Sequence, residues 1–216
     1  MWILNTILEI VFPTRCISCG VSGADLCIAC LSSSPNAERE SAKWIFPLFD
    51  YRHPPIKKSV WLLKYNGKKK LAQVFAEVLY GRILEELGDL SVMENFHNAL
   101  LVPVPLSSSR RRERGFNQAE LICKNLVTLD KNENFKLEND VLIKTSDQKH
   151  QAHIENRRDR LQNIIGSFTT KNPERIKNRN IILIDDVTTT GATLGEARKT
   201  LKQAGAKKVI AFTIAH

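Results

Sequence analysis

Residues 180–205 read NIILIDDVTTTGATLGEARKTLKQAG, and that order leaves few folds open. Ile181 to Ile184 are four aliphatic residues in a row, as a strand buried on both faces requires. Asp185 and Asp186 end the run. Leu194, Ala197 and Leu201 then recur at i, i+3 and i+7, the spacing of one helix face. A buried strand that passes through a short loop into a helix is the building unit of a parallel sheet covered by helices. Other segments repeat the alternation. WIFPLFDY (44–51), ALLVPVP (99–105) and KKVIAFTIA (207–215) are strand-like, whereas 55–65, 71–87 and a stretch around 117–129 have helical periodicity. A polar loop, DKNENFKLEN, leads into VLIKT. The expected fold class is therefore α/β, a mostly parallel sheet flanked by helices.

In such a sheet, ligands bind in the crevice outside the carboxyl ends of the strands. Asp185 and Asp186 emerge at such an end, and TTTGAT (188–193) turns into the helix. That turn offers backbone N–H groups and hydroxyls at a helix N-terminus, a site for a phosphate dianion. Gly191 lets backbone approach the ligand closely. The two carboxylates lie too near the phosphate to bind it and suit vicinal hydroxyls, with Mg²⁺ nearby. A diol beside a phosphate describes ribose 5-phosphate. Two rivals are an ATPase acidic strand, which lacks its G-x-x-x-x-G-K-[ST] loop here, and simple helix capping by the acids.

Four of the five cysteines form CISCGVSGADLCIAC, a C-x₂-C-x₇-C-x₂-C array through Cys16, Cys19, Cys27 and Cys30. Two C-x₂-C pairs supply the four thiolates of a closed structural Zn²⁺ site, and Gly20 permits the turn after the first pair. Disulfides are the alternative, and a cytosolic chain disfavours them. The N-terminal MWILNTILEIVF is apolar but only 12 residues long, with no basic leader or cleavage site. It reads as an amphipathic helix for packing on a neighbouring domain, not as a signal peptide or membrane span. No other segment is long enough to cross a bilayer, so the expected location is the cytoplasm. Polar residues 31–43, broken by Pro35, read as a linker. The expected division is a zinc-finger module with its N-terminal helix at 1–36 and the α/β domain at 37–216. Cys123, in AELICKNL, reads as a buried small hydrophobe.

The net charge is +9, and residues 51–76 hold seven Lys and Arg with no Asp or Glu. On a helix over 55–65, Lys57, Trp61 and Lys64 share a stripe, with Lys68, Lys69 and Lys70 near its extension, while Ile56, Val60 and Leu63 face inward. Cations beside exposed rings suit single-stranded DNA, where bases stack and phosphates meet lysines. The competing reading is a solvated face with lysine stems packed around a buried Trp61.

The string hydrophobics–DD–x₂–TTGAT resembles the signature of type I phosphoribosyltransferases, which bind phosphoribosyl pyrophosphate (PRPP). LVPVPLSSSRRRERGFNQAE (101–120) is similar to the strand and pyrophosphate loop of amidophosphoribosyltransferases. Its R-G-F-N-Q, Arg114 to Gln118, together with the four-cysteine array, LLKYNGKKKLA and the PRPP loop, resembles the ComF family of competence proteins, essentially end to end. The resemblance implies a type I phosphoribosyltransferase-like domain behind a zinc finger. It implies PRPP binding through Asp185, Asp186, Thr188, Thr189, Thr190, Gly191, Ala192 and Thr193, with Mg²⁺ accompanying PRPP. Arg110 and Arg114, among the arginines 110, 111, 112 and 114, are candidates for the pyrophosphate. Gln148, Arg160 and Asn163 match the family's flexible loop at 144–163. The implied role is handling incoming single-stranded DNA during natural transformation, with helicase or recombination proteins as partners.

Transfer chemistry is a separate question. The chain stops at His216 directly after its last strand, so no C-terminal hood for a nucleobase is expected. No glutaminase is expected either, because the clustered cysteines have metal spacing. None of His53, His97, His150, His153 and His216 stands as a general base, and no catalytic residue is assigned. Two alternatives stay open: an active phosphoribosyltransferase on an unidentified acceptor, and a DNA-binding scaffold with a vestigial PRPP pocket.

Overall fold

The computed structural model describes residues 13–38, 42–94, 96–145 and 164–216. The expected N-terminal helix and Gln148, Arg160 and Asn163 lie outside the described residues. The described elements run α1 (Ile28–Ser32), β1 (Ile45–Phe49), α2 (Pro54–Tyr65), α3 (Lys70–Glu94), β2 (Ala99–Pro103), α4 (Ser108–Arg114) and α5 (Gln118–Leu129). There follow β3 (Phe135–Leu137), β4 (Leu142–Lys144), β5 (Phe168–Thr170), β6 (Asn180–Val187), α6 (Ala192–Gln203) and β7 (Lys208–Ala215).

Five strands pair in the order β1-β7-β6-β2-β3, and every pairing is parallel. Helices cover both faces, as the unbroken apolar strands require. Ile182, Ile184, Ile210 and Phe212 point to the side of α2, α3 and α5, while Ile181, Leu183, Val209 and Ala211 pack with Leu194, Ala197 and Leu201 of α6. Pro47 sits in β1, an edge strand of the five-stranded sheet, where a missing N–H is tolerated.

Two segments depart from the sequence expectation. DKNENFKLEN is not wholly loop, because β3 lies inside it and adds the outer strand beside β2. Three residues are too few to show a period. A buried carboxylate shapes the turn instead: Asp130 Oδ2 accepts the Phe135 N–H at 3.1 Å, and its Oδ1 accepts from Tyr80 Oη at 3.1 Å. VLIKT, expected to continue the alternation, leaves the main sheet. As β4 it pairs antiparallel with β5 in a separate ribbon.

The cysteine region docks on the main sheet through an isolated antiparallel bridge between Asn36 and Phe49. Leu26 and Leu31 are fully buried in the same apolar cluster as Phe75 and Leu79 of α3. Lys68 Nζ closes the junction on Asp25 Oδ1 at 3.0 Å.

Candidate functional site

From β2 the chain moves outward to β3, and from β6 it moves the other way to β7. The helices that make these crossings, α5 and α6, cover opposite faces, so a crevice opens between the carboxyl ends of β2 and β6. Asp185, Asp186 and the threonine loop stand in that crevice.

Strand β6 runs on through both carboxylates, with Asp185 paired to Thr213 and Val187 to Ala215. Thr188 is buried and donates its N–H to Ala215 O at 2.9 Å, which fixes the start of the loop. Thr189 and Thr190 are exposed beyond it. Gly191 caps α6 with φ +72°, a left-handed conformation that disfavours any side chain. A Cβ there would lie 3.0 Å from Ile45 Cδ1, so the loop also packs tightly against β1. At the start of α6 the Ala192 N–H donates to Thr190 Oγ1 at a long 3.4 Å, and the N–H groups of a helix's first turn point out of its end, where an anion binds.

The carboxylates differ. Asp186 is buried and forms an ion pair with Lys64 at 2.8 Å; their side chains are 11% and 17% exposed. Asp185 accepts the Asp186 N–H at 2.8 Å. Burial pushes the Asp185 carboxyl up to about 7, the Asp186 charge adds to that rise, and Lys64 and Lys144 oppose it. One acid thus carries a counter-ion supplied by the protein, while its neighbour holds its proton toward neutral pH.

Lys64 was expected on the exposed stripe of α2. The structure turns it inward, and the exposed stripe runs Lys57, Trp61, Tyr65 instead. Trp61 and Tyr65 are 50% and 52% exposed, with ring centroids 6.1 Å apart. Lys68 is held by Asp25, and Lys69 lies 4.9 Å above the Phe116 ring. Lys70 is exposed at the start of α3.

The R-G-F-N-Q motif joins these parts. Gly115 ends α4 with φ +73°, and Asn117 caps α5 by accepting the Ala119 N–H at 3.0 Å. Asn117 Nδ2 also donates to Val104 O at 3.0 Å, which pins the P-V-P end of β2. Arg114 donates from Nη1 to Gln118 Oε1 at 3.0 Å and from Nη2 to Tyr65 Oη at 3.1 Å. Among the described residues, buried Gln118 Nε2 and Arg114 Nε find no acceptor. Such donors cost about 1–3 kcal/mol each when left unpaired, and an anionic ligand relieves that cost. Arg110 and Arg112 are exposed on α4, and Arg111 reaches Glu120 at 3.4 Å. Asn117, Gln118 and Tyr65 were not singled out individually from the sequence. An uncharged polar residue carries no chemical signature until its burial is known.

At the other end of the described chain, the four Sγ atoms of Cys16, Cys19, Cys27 and Cys30 lie within 4.8 Å of one another, and none is in a disulfide. Cys19 and Cys27 are 3.8 Å apart, and a tetrahedral site with ligands at about 2.3 Å spaces its sulfurs about 3.8 Å apart. Gly20, at φ +76°, makes the expected turn, and Cys27 N donates to Cys16 Sγ at 3.4 Å. Burial alone would raise the Cys16 thiol, yet backbone hydrogen bonds from Cys19, Cys27 and Ser18 outweigh it and bring it to about 6. At Cys30 a Ser18 hydrogen bond lowers the thiol, but the Cys27 and Cys19 contacts prevail and push it up to about 12. Four clustered thiols cannot all ionise unaided; a divalent cation lets them do so. The donor set therefore fits a metal ion.

Three comparisons bear on the chain. Residues 125–216 match the model of the phosphoribosyl transferase domain. The DNA utilization protein YhgH of Escherichia coli K12 is 26% identical over 199 residues, covering 91% of this chain and 81% of that protein. The competence protein ComFC of Bacillus subtilis 168 is 40% identical over 116 residues, 53% of this chain and 43% of that one. A hypoxanthine phosphoribosyl transferase of Trypanosoma cruzi aligns with TM-score 0.43 and 11% identity, over 67% of this chain and 64% of that one, a distant likeness from which no role follows. Among the described residues, no helix is long and apolar enough to cross a membrane.

Proposed function

The chain belongs to the ComF family of competence proteins and carries a type I phosphoribosyltransferase fold, and from that premise we propose that it binds PRPP and handles single-stranded DNA during DNA uptake. One observation carries the PRPP half: an acidic pair and a threonine loop at the switch point of the sheet. The N–H groups and hydroxyls of residues 189–193 receive the 5-phosphate, and the carboxylates accept from the ribose hydroxyls. Arg114 and Gln118 bring unpaired donors to the pyrophosphate, with Arg110 as a further cation. Mg²⁺ bound with PRPP supplies charge neutralisation for the pyrophosphate.

Zn²⁺ on Cys16, Cys19, Cys27 and Cys30 holds the module at residues 1–36 and does no bond-making chemistry. Its site of action is the cytoplasm, where clustered thiols stay reduced. The basic segment 51–76 supports the DNA half, together with the likeness to a DNA utilization protein and a competence protein.

A second reading, transfer of the phosphoribosyl group to an acceptor, is favoured by a cavity of about 290 Å³ beside the loop, lined by Glu38, Tyr51, Arg52, Thr189 and His216. It opens where no C-terminal hood was expected, because residues 37–38 and the turn after β1 form its wall.

The test is calorimetric titration of the zinc-loaded protein with PRPP and Mg²⁺, alongside the double variant Asp185→Asn/Asp186→Asn. Binding by the wild type that the variant loses supports a live pocket. A wild type that does not bind PRPP overturns the proposal and leaves the loop as inherited architecture.

A further inference from the structure

The two halves of the proposed function meet on one helix. Along α2, Lys57, Trp61 and Tyr65 occupy successive turns of the exposed face. Half-exposed Trp and Tyr rings 6.1 Å apart are costly to leave in water, yet nothing in the core calls for them there. The Arg114 guanidinium lies 4.9 Å over the Tyr65 ring while bonding its hydroxyl, so a cation from α4 is fixed against the aromatic pair. Phe116, with Lys69 above it, extends the surface. Of the acids on the adjoining elements, Asp25 is engaged by Lys68 and Glu120 by Lys124 and Arg111, while Glu113 stands exposed beside Arg114. Stacking rings interleaved with cations match an unpaired nucleic-acid strand, whose bases expose π-faces and whose phosphates need counter-charge. A duplex hides its bases and would leave the rings unused.

Lys64 precedes Tyr65 and points the other way, into the crevice, where it neutralises Asp186. A ligand that engages Asp186 competes with Lys64. The ammonium so released, one residue from Tyr65, adds a cation to the ring face.

We propose that single-stranded nucleic acid seats on the Trp61–Tyr65 ledge, and that Lys64 links this seat to the phosphoribosyl pocket so that PRPP and the strand strengthen one another's binding. The proposal rests on the reading that the protein binds both ligands. By linkage the effect is reciprocal, and a coupling of typical size is about 5-fold or more.

The experiment measures binding of a fluorescein-labelled oligothymidylate to the full zinc-loaded chain, with and without PRPP and Mg²⁺. Trp61→Ala and Tyr65→Ala are each expected to weaken oligonucleotide binding about tenfold, in line with the loss of one stacked base. Lys199→Gln, which removes a charge from the exposed face of α6, is expected to leave it within about twofold, as one distant phosphate contact at most. PRPP is expected to tighten oligonucleotide binding in the wild type and to have no such effect in Lys64→Met. Oligonucleotide affinity unchanged by both aromatic variants would remove the ledge, and tightening that persists in Lys64→Met would remove the link. Circular dichroism of each variant separates loss of binding from loss of fold. The PRPP titration above stands apart from these arms: a pocket that binds nothing fails there, while the aromatic variants still report on the ledge.

Discussion

The acid–threonine loop and the aromatic ledge are joined by the Lys64–Asp186 ion pair, yet they are built in opposite ways. The loop is one continuous stretch, residues 181–193, whose strand, acids, turn and helix start all follow from neighbouring positions. The ledge is gathered from α2, α4 and the turn before α5, and Arg114 is 49 positions from the Tyr65 it touches. A local site tolerates disturbance elsewhere, because its geometry is fixed by the strand that carries it. A gathered surface depends on every contact that holds its helices in place.

Removal of the proposed zinc probes that difference most strongly. Structural zinc sites of this kind contribute about 10–16 kcal/mol of apparent binding energy, most of it folding energy. A chelator is therefore expected to unfold the cysteine module and, through Leu26, Leu31 and the Asp25–Lys68 pair, to loosen the junction of α2 and α3. Oligonucleotide affinity should fall more than tenfold while PRPP affinity stays within about threefold, both read by fluorescence titration. Equal losses would mean that the two regions form one folding unit and that the contrast is only apparent.

The ion pair between the regions comes next. Asp186→Ala takes the direct ion-pair partner from the largely buried Lys64, leaving only the Asp185 carboxyl to answer its charge, and is expected to cost up to about 3–5 kcal/mol, measured as a lower urea midpoint. Lys64→Met should cost less, because an apolar stem of similar length keeps the packing of the lysine side chain. The two losses should not add in the double variant Asp186→Leu/Lys64→Met.

A further effect is confined to the loop. Asp185 is raised from 3.8 to about 7 in the folded protein, mainly by burial. Between about pH 4 and 7 the folded state keeps a proton that the unfolded chain has released, so stability is greater at the acid end and falls as pH rises through the window. The change is on the order of 4 kcal/mol, with no further loss above it. Asp185→Asn should flatten the profile without moving oligonucleotide affinity, as followed by urea unfolding at several pH values.

How far the sequence could be read follows the same division. The strands Ile181–Ile184 and Val209–Ile214 were legible because burial on both faces demands continuous aliphatic runs. The cysteine array was legible because C-x₂-C spacing is itself a geometry, and the four sulfurs do converge. Strand β3 was not, since three residues carry no period and the Asp130 contacts that fold it are tertiary. The inward turn of Lys64 was not legible either, because a lysine stem reaches either way from its backbone position.

What the sequence determined alone was every feature carried by nearest neighbours: the parallel α/β architecture, the acid–threonine loop at a strand end, and the metal spacing of the cysteines. What only the tertiary structure decided was which charges meet. Lys64 is bound to Asp186, Lys68 to Asp25 and Arg114 to Tyr65, while Trp61 remains in solvent. The physical reason is range. Backbone hydrogen bonds and apolar periodicity act within a few residues, whereas an ion pair or a stacked cation depends on how whole helices are placed by the core.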